Sequence, residues 1–322
     1  MTDLAIEPIE NKCFGASVTG ISLPAITSEQ FETVHEAFLE YGFLVFPDQH
    51  LSDDENIKFA LRFGELEFGA LPIANRKKLK DGHYGKMLDV NAQRMRTNIG
   101  NETWHTDSTY QPVSSKCAML SAVQVPRSGG ETQLADMRAG YAALDEETIK
   151  QVAQLSAYHS TEFSQANDLG DYPSSNEGIY HGEAYLRPLV KVHPETGLPN
   201  LFVGRHAFGI PELDREASKA LLKKLVDFVV SEPQRVYTHR WQVGDTLLWD
   251  NRALLHRACP YDYGEPRVMT ATRVAGDELT DLSYYPDNPR AEDGRQALTT
   301  ELAILRLESG STRFGGTTAT EY

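Results

Sequence analysis

Positive charge is what this chain of 322 residues is short of: 31 lysines and arginines face 46 acids, a net charge of −15 and a sequence pI near 5.1. That balance excludes the broad basic surface on which nucleic acids and anionic membranes dock, so neither is expected as a partner. It also means that an anionic small substrate needs a locally basic pocket. Cysteine is scarce as well. Cys13, Cys117 and Cys259 are widely spaced and odd in number, which suits reduced thiols in a cytoplasmic protein better than a disulfide framework. No run approaches the roughly 20 apolar residues of a membrane span, and Met1-Thr2-Asp3-Leu4 offers neither the basic opening nor the apolar core of a signal peptide. Some short motifs fail on spacing: His35-Glu36 is followed by Leu39 where a zinc protease needs histidine, and Gly85-Lys86 runs into Met87. Asn101-Glu102-Thr103 has the form of a glycosylation acceptor but no secretory context. What remains, 40% apolar and 24% charged, is an ordinary globular composition able to bury one large core. Residues 1–308 are therefore expected to form a single domain.

Local punctuation sets the expected elements. Thr27 and Gln30 form a capping box, Phe31, Val34, Phe38 and Tyr41 share one face, and Gly42 stops the helix. Phe43-Leu44-Val45-Phe46 reads as a buried strand, and a second capping box, Ser52 to Glu55, opens a helix ending at Gly64. From about 68 to 103 periodicity disappears, and this stretch is expected to be a loop acting as a lid. Strands are expected at Ala118–Val123, after the Gly129-Gly130 turn, and at Tyr237–Trp241, Thr246–Asp250 and Arg267–Ala275. Residues 139–231 read as a mostly helical insert with one β ribbon turning at Gly197. Leu298, Leu302 and Leu305 form an apolar helical stripe expected to pack on the barrel, and residues 309–322, rich in Gly, Ser and Thr, are expected to be a mobile tail.

The chemistry gathers in Thr103-Trp104-His105-Thr106-Asp107-Ser108-Thr109-Tyr110. These residues favour a strand, on which i and i+2 project from one face, so His105 and Asp107 can grip one ion. His256 supplies a second imidazole from far along the chain. Two histidines, one carboxylate and open positions are the donor set of a non-haem Fe(II) oxygenase. A His-x-Asp pair among ten histidines and 46 acids proves little alone. Arg267 adds weight, because a guanidinium pointing into a barrel is costly unless a carboxylate meets its planar fork. Thr132 is placed to add a hydroxyl to that same carboxylate. A zinc-type hydrolase built on the same ligands is the rival from another class, but it leaves Arg267 and Thr132 unexplained.

Several segments carry a wider likeness: Trp104-His105-Thr106-Asp107-Ser108-Thr109, Gly129-Gly130-Glu131-Thr132, Val192-His193-Pro194-Glu195-Thr196-Gly197, Trp249-Asp250-Asn251-Arg252, His256-Arg257 and Arg267-Val268-Met269. From about Gly15 to Gly276 the chain resembles the taurine and phenoxyacetate dioxygenase family of Fe(II)/2-oxoglutarate oxygenases. The resemblance implies a mainly β fold with α-helices, a double-stranded β-helix (a jelly-roll, cupin-like barrel) flanked by helices. It implies Fe(II) held by His105, Asp107 and His256, with 2-oxoglutarate and O2 as cosubstrates and the distal 2-oxoglutarate carboxylate on Arg267 and Thr132. It further implies hydroxylation of a small organic acid, coupled to decarboxylation of 2-oxoglutarate to succinate and CO2. Arg187-Pro188-Leu189-Val190-Lys191, Gly204-Arg205-His206-Ala207 and Arg273-Val274-Ala275-Gly276 are similar to aryloxyalkanoate dioxygenases of the phenoxypropionate-cleaving type. Ether cleavage is therefore one version of the expected reaction. A biosynthetic tailoring oxygenase that hydroxylates, desaturates or cyclises an amino acid or other metabolite is the alternative. Many relatives carry a substrate-anion arginine four residues after the 2-oxoglutarate arginine, where this chain has Ala271. Arg96, Asn101, Arg205, His206 and Arg273 are the candidates to meet the substrate instead. Subunit number, a homo-oligomer included, is left open by the sequence.

Overall fold

Alternation along each strand decides what the fold buries where. In a computed structural model, which describes residues 4–174, 179–284 and 293–314, two sheets face one another. The larger has seven strands, in the order Ala5–Pro8, Ala16–Thr19, Phe43–Phe46, Thr246–Asp250, Cys117–Gln124, Val268–Val274 and Leu66–Ala74. Its pairs are antiparallel except that Ala16–Thr19 runs parallel to Phe43–Phe46. The smaller has three antiparallel strands, Val236–His239, Thr132–Asp136 and Leu254–Ala258. Phe43, Val45, Leu247 and Trp249 from the larger sheet meet Leu134 and Leu254 from the smaller, forming the jelly-roll core. Leu44, Phe46 and Leu248 point the other way and pack on Val34, Phe38 and Phe59 of two outer helices. Ala135 and Leu255, on the outer face of the smaller sheet, are covered by Leu222, Leu225 and Val229 of the helix Arg215–Val230.

The helix signals hold. Ser28–Tyr41 has its Thr27–Gln30 capping box and ends at Gly42 with φ 79, where a Cβ would lie 2.8 Å from Arg138 Nη2. Ser52 and Glu55 cap Asp53–Ala60, which stops short of Gly64. The expected irregular lid is instead built of regular elements. Leu66–Ala74 pairs with Val268–Val274, Arg76–Lys78 pairs with Tyr84–Met87, and Gln93–Gly100 is a helix. Pairing to a distant strand supplies the order that local periodicity lacks. The insert holds more β structure than expected: the ribbon Val190–Val192 with Pro199–Leu201, turning at Gly197, and a three-stranded sheet centred on Ser156–His159. Leu298 and Leu305 pack on Tyr158, Phe163 and Phe208 of that outer sheet and its helix, not on the barrel. Their helix, Gly294–Phe314, continues past Ser309, so regular structure extends into the segment expected as a tail; residues 315–322 lie outside the described residues.

The turn between the strands Thr246–Asp250 and Leu254–Ala258 is held by a buried ionic clamp. Asp250 accepts from Arg252 at 2.9 and 2.6 Å and meets His193 Nε2 at 2.9 Å, while Arg252 also reaches Glu195 at 2.6 Å. The clamp ties the insert ribbon to the strand pair that carries His256. Burial alone would raise the Asp250 carboxyl, but Arg252 and then His193 outweigh it and hold the group well below the ordinary carboxylate range. Such a group contributes its stability in full above the unfolded value near 3.9 and loses it as pH falls below that toward the folded value. Asp250→Asn should therefore cost about 3 kcal/mol in urea unfolding at pH 7, because it removes the carboxylate that meets the buried Arg252 fork at two points and leaves it Glu195 alone. The gap to wild type should narrow below about pH 4.

Candidate metal centre and its cavity

His105 reaches His256 through its backbone. His105 N donates to the His256 carbonyl at 2.9 Å and His256 N returns the bond at 2.8 Å, so the two imidazole centroids lie 4.1 Å apart. The strand expected around His105 amounts to this one antiparallel bridge, and the chain turns away at Asp107 with Ser108 in the left-handed region at φ 55. The i, i+2 geometry nonetheless survives across the bridge. One donor atom from each of His105, Asp107 and His256 lies within 4.8 Å of the others, and all three residues are buried.

The donor chemistry suits a divalent metal. His105 Nδ1 lies 2.8 Å from the Thr103 carbonyl, which only accepts, so Nδ1 carries the proton and Nε2 keeps its lone pair. Burial, then the neighbouring His256, pushes the His105 imidazole well below its ordinary value, leaving it neutral. Burial works against the charged Asp107, but Arg273 and then His256 overcome it and keep the carboxyl ionised. Arg187, almost wholly buried, fixes the turn after Asp107 by donating to the carbonyls of Thr109, Gln111 and Pro112.

Arg267 and Thr132 line the same cavity. Arg267 is buried, its Nε donates to the Gly130 carbonyl at 2.9 Å, and no ion pair to it forms among the described residues. Burial pulls its pKa down. A buried guanidinium fork without a carboxylate is an incomplete interaction. Thr132 Oγ1 accepts from Trp241 Nε1 at 3.1 Å, which leaves the hydroxyl proton free to donate.

Of the five residues expected to meet a substrate, Asn101 and Arg273 line the cavity. The other three are committed elsewhere. Arg96 makes a two-point pair with Asp171 and pins the lid helix to the helix Thr161–Leu169. Arg205 pairs with Asp168 at 2.9 Å, and His206 meets Ser164 Oγ at 2.9 Å while standing edge-on to His105 at 6.1 Å. Sequence reasoning missed Asn75, whose side-chain oxygen accepts from the Arg267 backbone N–H at 2.8 Å and whose amide donates to the Glu265 carbonyl at 2.6 Å. It also missed the apolar wall of Phe68, Ile73, Met95 and Ile99. Both come from the segment without periodicity, and nothing local marked them.

Two facing sheets, with two imidazoles and a carboxylate gathered between them beside an unmatched arginine, define the non-haem Fe(II) oxygenase class. The model of the taurine catabolism dioxygenase TauD, TfdA family matches residues 5–273, and the chain belongs to that family. It is a dioxygenase that uses Fe(II), 2-oxoglutarate and O2, and the zinc-type hydrolase reading falls away. Over 275 residues it is 45% identical to the (S)-phenoxypropionate/alpha-ketoglutarate-dioxygenase of Sphingobium herbicidovorans, covering 84% of this chain and 94% of that one. It is 34% identical to the alpha-ketoglutarate-dependent 2,4-dichlorophenoxyacetate dioxygenase of Cupriavidus pinatubonensis, covering 83% and 96%. The crystal structure of AAD-2 in complex with Mn(II) and N-oxalylglycine superposes with a TM-score of 0.79 at 34% identity, covering 87% of this chain and 99% of that one.

Gly130 allows the approach to Arg267. Its φ is 70, and a Cβ there would sit 3.1 Å from both Cδ and Nε of Arg267. Gly130→Ala should displace the guanidinium and raise the KM for 2-oxoglutarate by on the order of ten-fold or more. Steady-state succinate release measures this, and an unchanged KM would contradict the placement of Arg267.

Proposed function

We propose that this chain hydroxylates a small carboxylic acid of the aryloxyalkanoate class at the carbon bearing the ether oxygen, so that the ether breaks. The observation that carries the reading is the buried Arg267, which has no ion pair among the described residues, in the same cavity as the three gathered donor atoms. His105, Asp107 and His256 hold the metal, and Arg267 with Thr132 takes the distal carboxylate of 2-oxoglutarate. Metal, cosubstrate and O2 together supply the oxidising power, with 2-oxoglutarate leaving as succinate and CO2.

This chain's own part is orientation and exclusion of water. The Arg267 fork fixes one end of the cosubstrate, and the Thr132 proton adds a second contact to the same carboxylate. Phe68, Ile73, Met95 and Ile99 present an apolar wall that fits an aryl ring. Of the expected substrate contacts in the lining, Arg273 is paired with Asp107 and lies over the Phe68 ring at 4.7 Å, which leaves the Asn101 side chain for the substrate acid. A carbon that gains a hydroxyl beside an ether oxygen becomes a hemiketal or hemiacetal, which collapses to a carbonyl compound and a phenol. The similarity to phenoxypropionate and 2,4-dichlorophenoxyacetate dioxygenases supports this substrate class. Cys13, Cys117 and Cys259 are all free thiols, which supports the cytoplasm as the site of action.

Under nitrogen, Fe(II) and 2-oxoglutarate should together give a weak visible charge-transfer band. In air, (S)-2-phenoxypropionate or phenoxyacetate should release phenol in step with succinate. No phenol from any aryloxyacid, with succinate released on an amino acid, would replace ether cleavage by the tailoring reading. Arg267→Ala should weaken 2-oxoglutarate binding by about 2–5 kcal/mol, a factor of roughly thirty or more, which titration of the charge-transfer band measures.

A further inference from the structure

We infer that Arg273 is a positioning residue that makes Asp107 a one-oxygen metal ligand and so keeps the third coordination position open. The inference rests on the metal role given above to His105, Asp107 and His256. Arg273 Nη2 donates to Asp107 Oδ1 at 2.7 Å. The other oxygen, Oδ2, lies 3.5 Å from His256 Nε2, on the side where the donor atoms gather. The two carboxylate oxygens thus have different partners before any metal arrives.

The guanidinium is itself held in place. Nη1 donates to Ser108 Oγ at 3.1 Å and lies 3.4 Å from Glu67 Oε1, while Ser108 Oγ donates to the two Glu67 oxygens at 2.6 and 2.8 Å. Ser108 does this from the left-handed region, φ 55, a conformation that an L residue adopts only when its surroundings impose it. Phe68 covers the guanidinium face. Glu67, Ser108, Arg273 and Asp107 form one continuous chain of hydrogen bonds running from the protein surface to the metal centre.

The consequence is a matter of counting. An octahedral ion with two imidazoles and one carboxylate oxygen has three positions left, two for a chelating 2-oxo acid and one for O2. A carboxylate free at both oxygens can chelate, and then only two positions remain. Electrostatics argues against the simpler idea that Arg273 tightens metal binding, since a cation beside a divalent ion opposes it. Glu67 offsets part of that repulsion. The arginine therefore shapes the coordination rather than strengthening it.

Co(II) tests this without turnover, because its d–d absorption reports coordination number. Wild type, Arg273→Gln, Arg273→Lys and Glu67→Gln are titrated with Co(II) and then with 2-oxoglutarate, with thermal midpoints recorded alongside. Arg273→Gln is expected to bind Co(II) at least as tightly as wild type, to show altered d–d bands before cosubstrate is added, and to lose roughly ten-fold or more in 2-oxoglutarate affinity. Arg273→Lys keeps the charge, so altered bands there as well assign the effect to geometry. Glu67→Gln, which leaves the arginine in place, should shift the same bands to a smaller degree, and it decides the matter if the arginine variants do not fold. Bands identical to wild type in the folded variants overturn the inference, as does loss of Co(II) binding on removal of Arg273. Failure of the wild type itself to bind Co(II) overturns the metal reading instead.

Discussion

The pair of backbone hydrogen bonds between His105 and His256 is the constraint on which the centre depends. It joins a loop segment to a strand of the smaller sheet and sets two imidazoles side by side, centroids 4.1 Å apart and tilted by 51°. Neither histidine chooses its position alone. His256 is placed by its strand, which pairs with Thr132–Asp136, and that strand carries Thr132 into the same cavity. The Asp250 clamp fixes the turn before His256, and Arg187 fixes the turn after Asp107. The three candidate ligands are thus braced by contacts on both sides of the centre, as orientation of a site requires.

Three of the chain's basic side chains line the cavity of an otherwise acidic protein. Arg257, Arg267 and Arg273 line the cavity, and each is treated differently. Arg257 lies over the Trp104 ring and bonds Gln133, so it is largely spent on structure. Arg273 is matched by Asp107 and Glu67. Among the described residues no ion pair reaches Arg267, and Glu102, an acid in the same lining, accepts from the Tyr263 hydroxyl at 2.5 Å. Buried positive charge without an acid is costly, which is why Arg267 is proposed to take the carboxylate of 2-oxoglutarate.

The lid shows how tertiary pairing overrides weak local signals. Leu66–Ala74 reads as irregular because its alternation is broken, and its pairing with Val268–Val274 is itself shifted in register near Ala271 and Arg273. Arg267, Ala271 and Arg273 all reach the cavity lining, as residues an even number of positions apart on one strand should. The segment hardest to read locally is the one that builds the apolar wall of the cavity.

From residue order came the capped helices, several strands, the proposed ligands His105, Asp107 and His256, and the expectation that Arg267 and Thr132 share one site. The caps and strands rest on local chemistry, since a cap needs a side chain three residues away and a strand face only every second residue, whereas joining His256 to His105 and Asp107 rests on the donor set and the family likeness. Which basic residue reaches the cavity was decided elsewhere. Arg96 is claimed by Asp171, Arg205 by Asp168 and His206 by Ser164, while Arg273 is turned onto Asp107. A charged side chain goes to whichever partner the folded chain brings within reach, and for Arg96 and Arg273 that partner lies many tens of residues away in sequence, where no local pattern can name it.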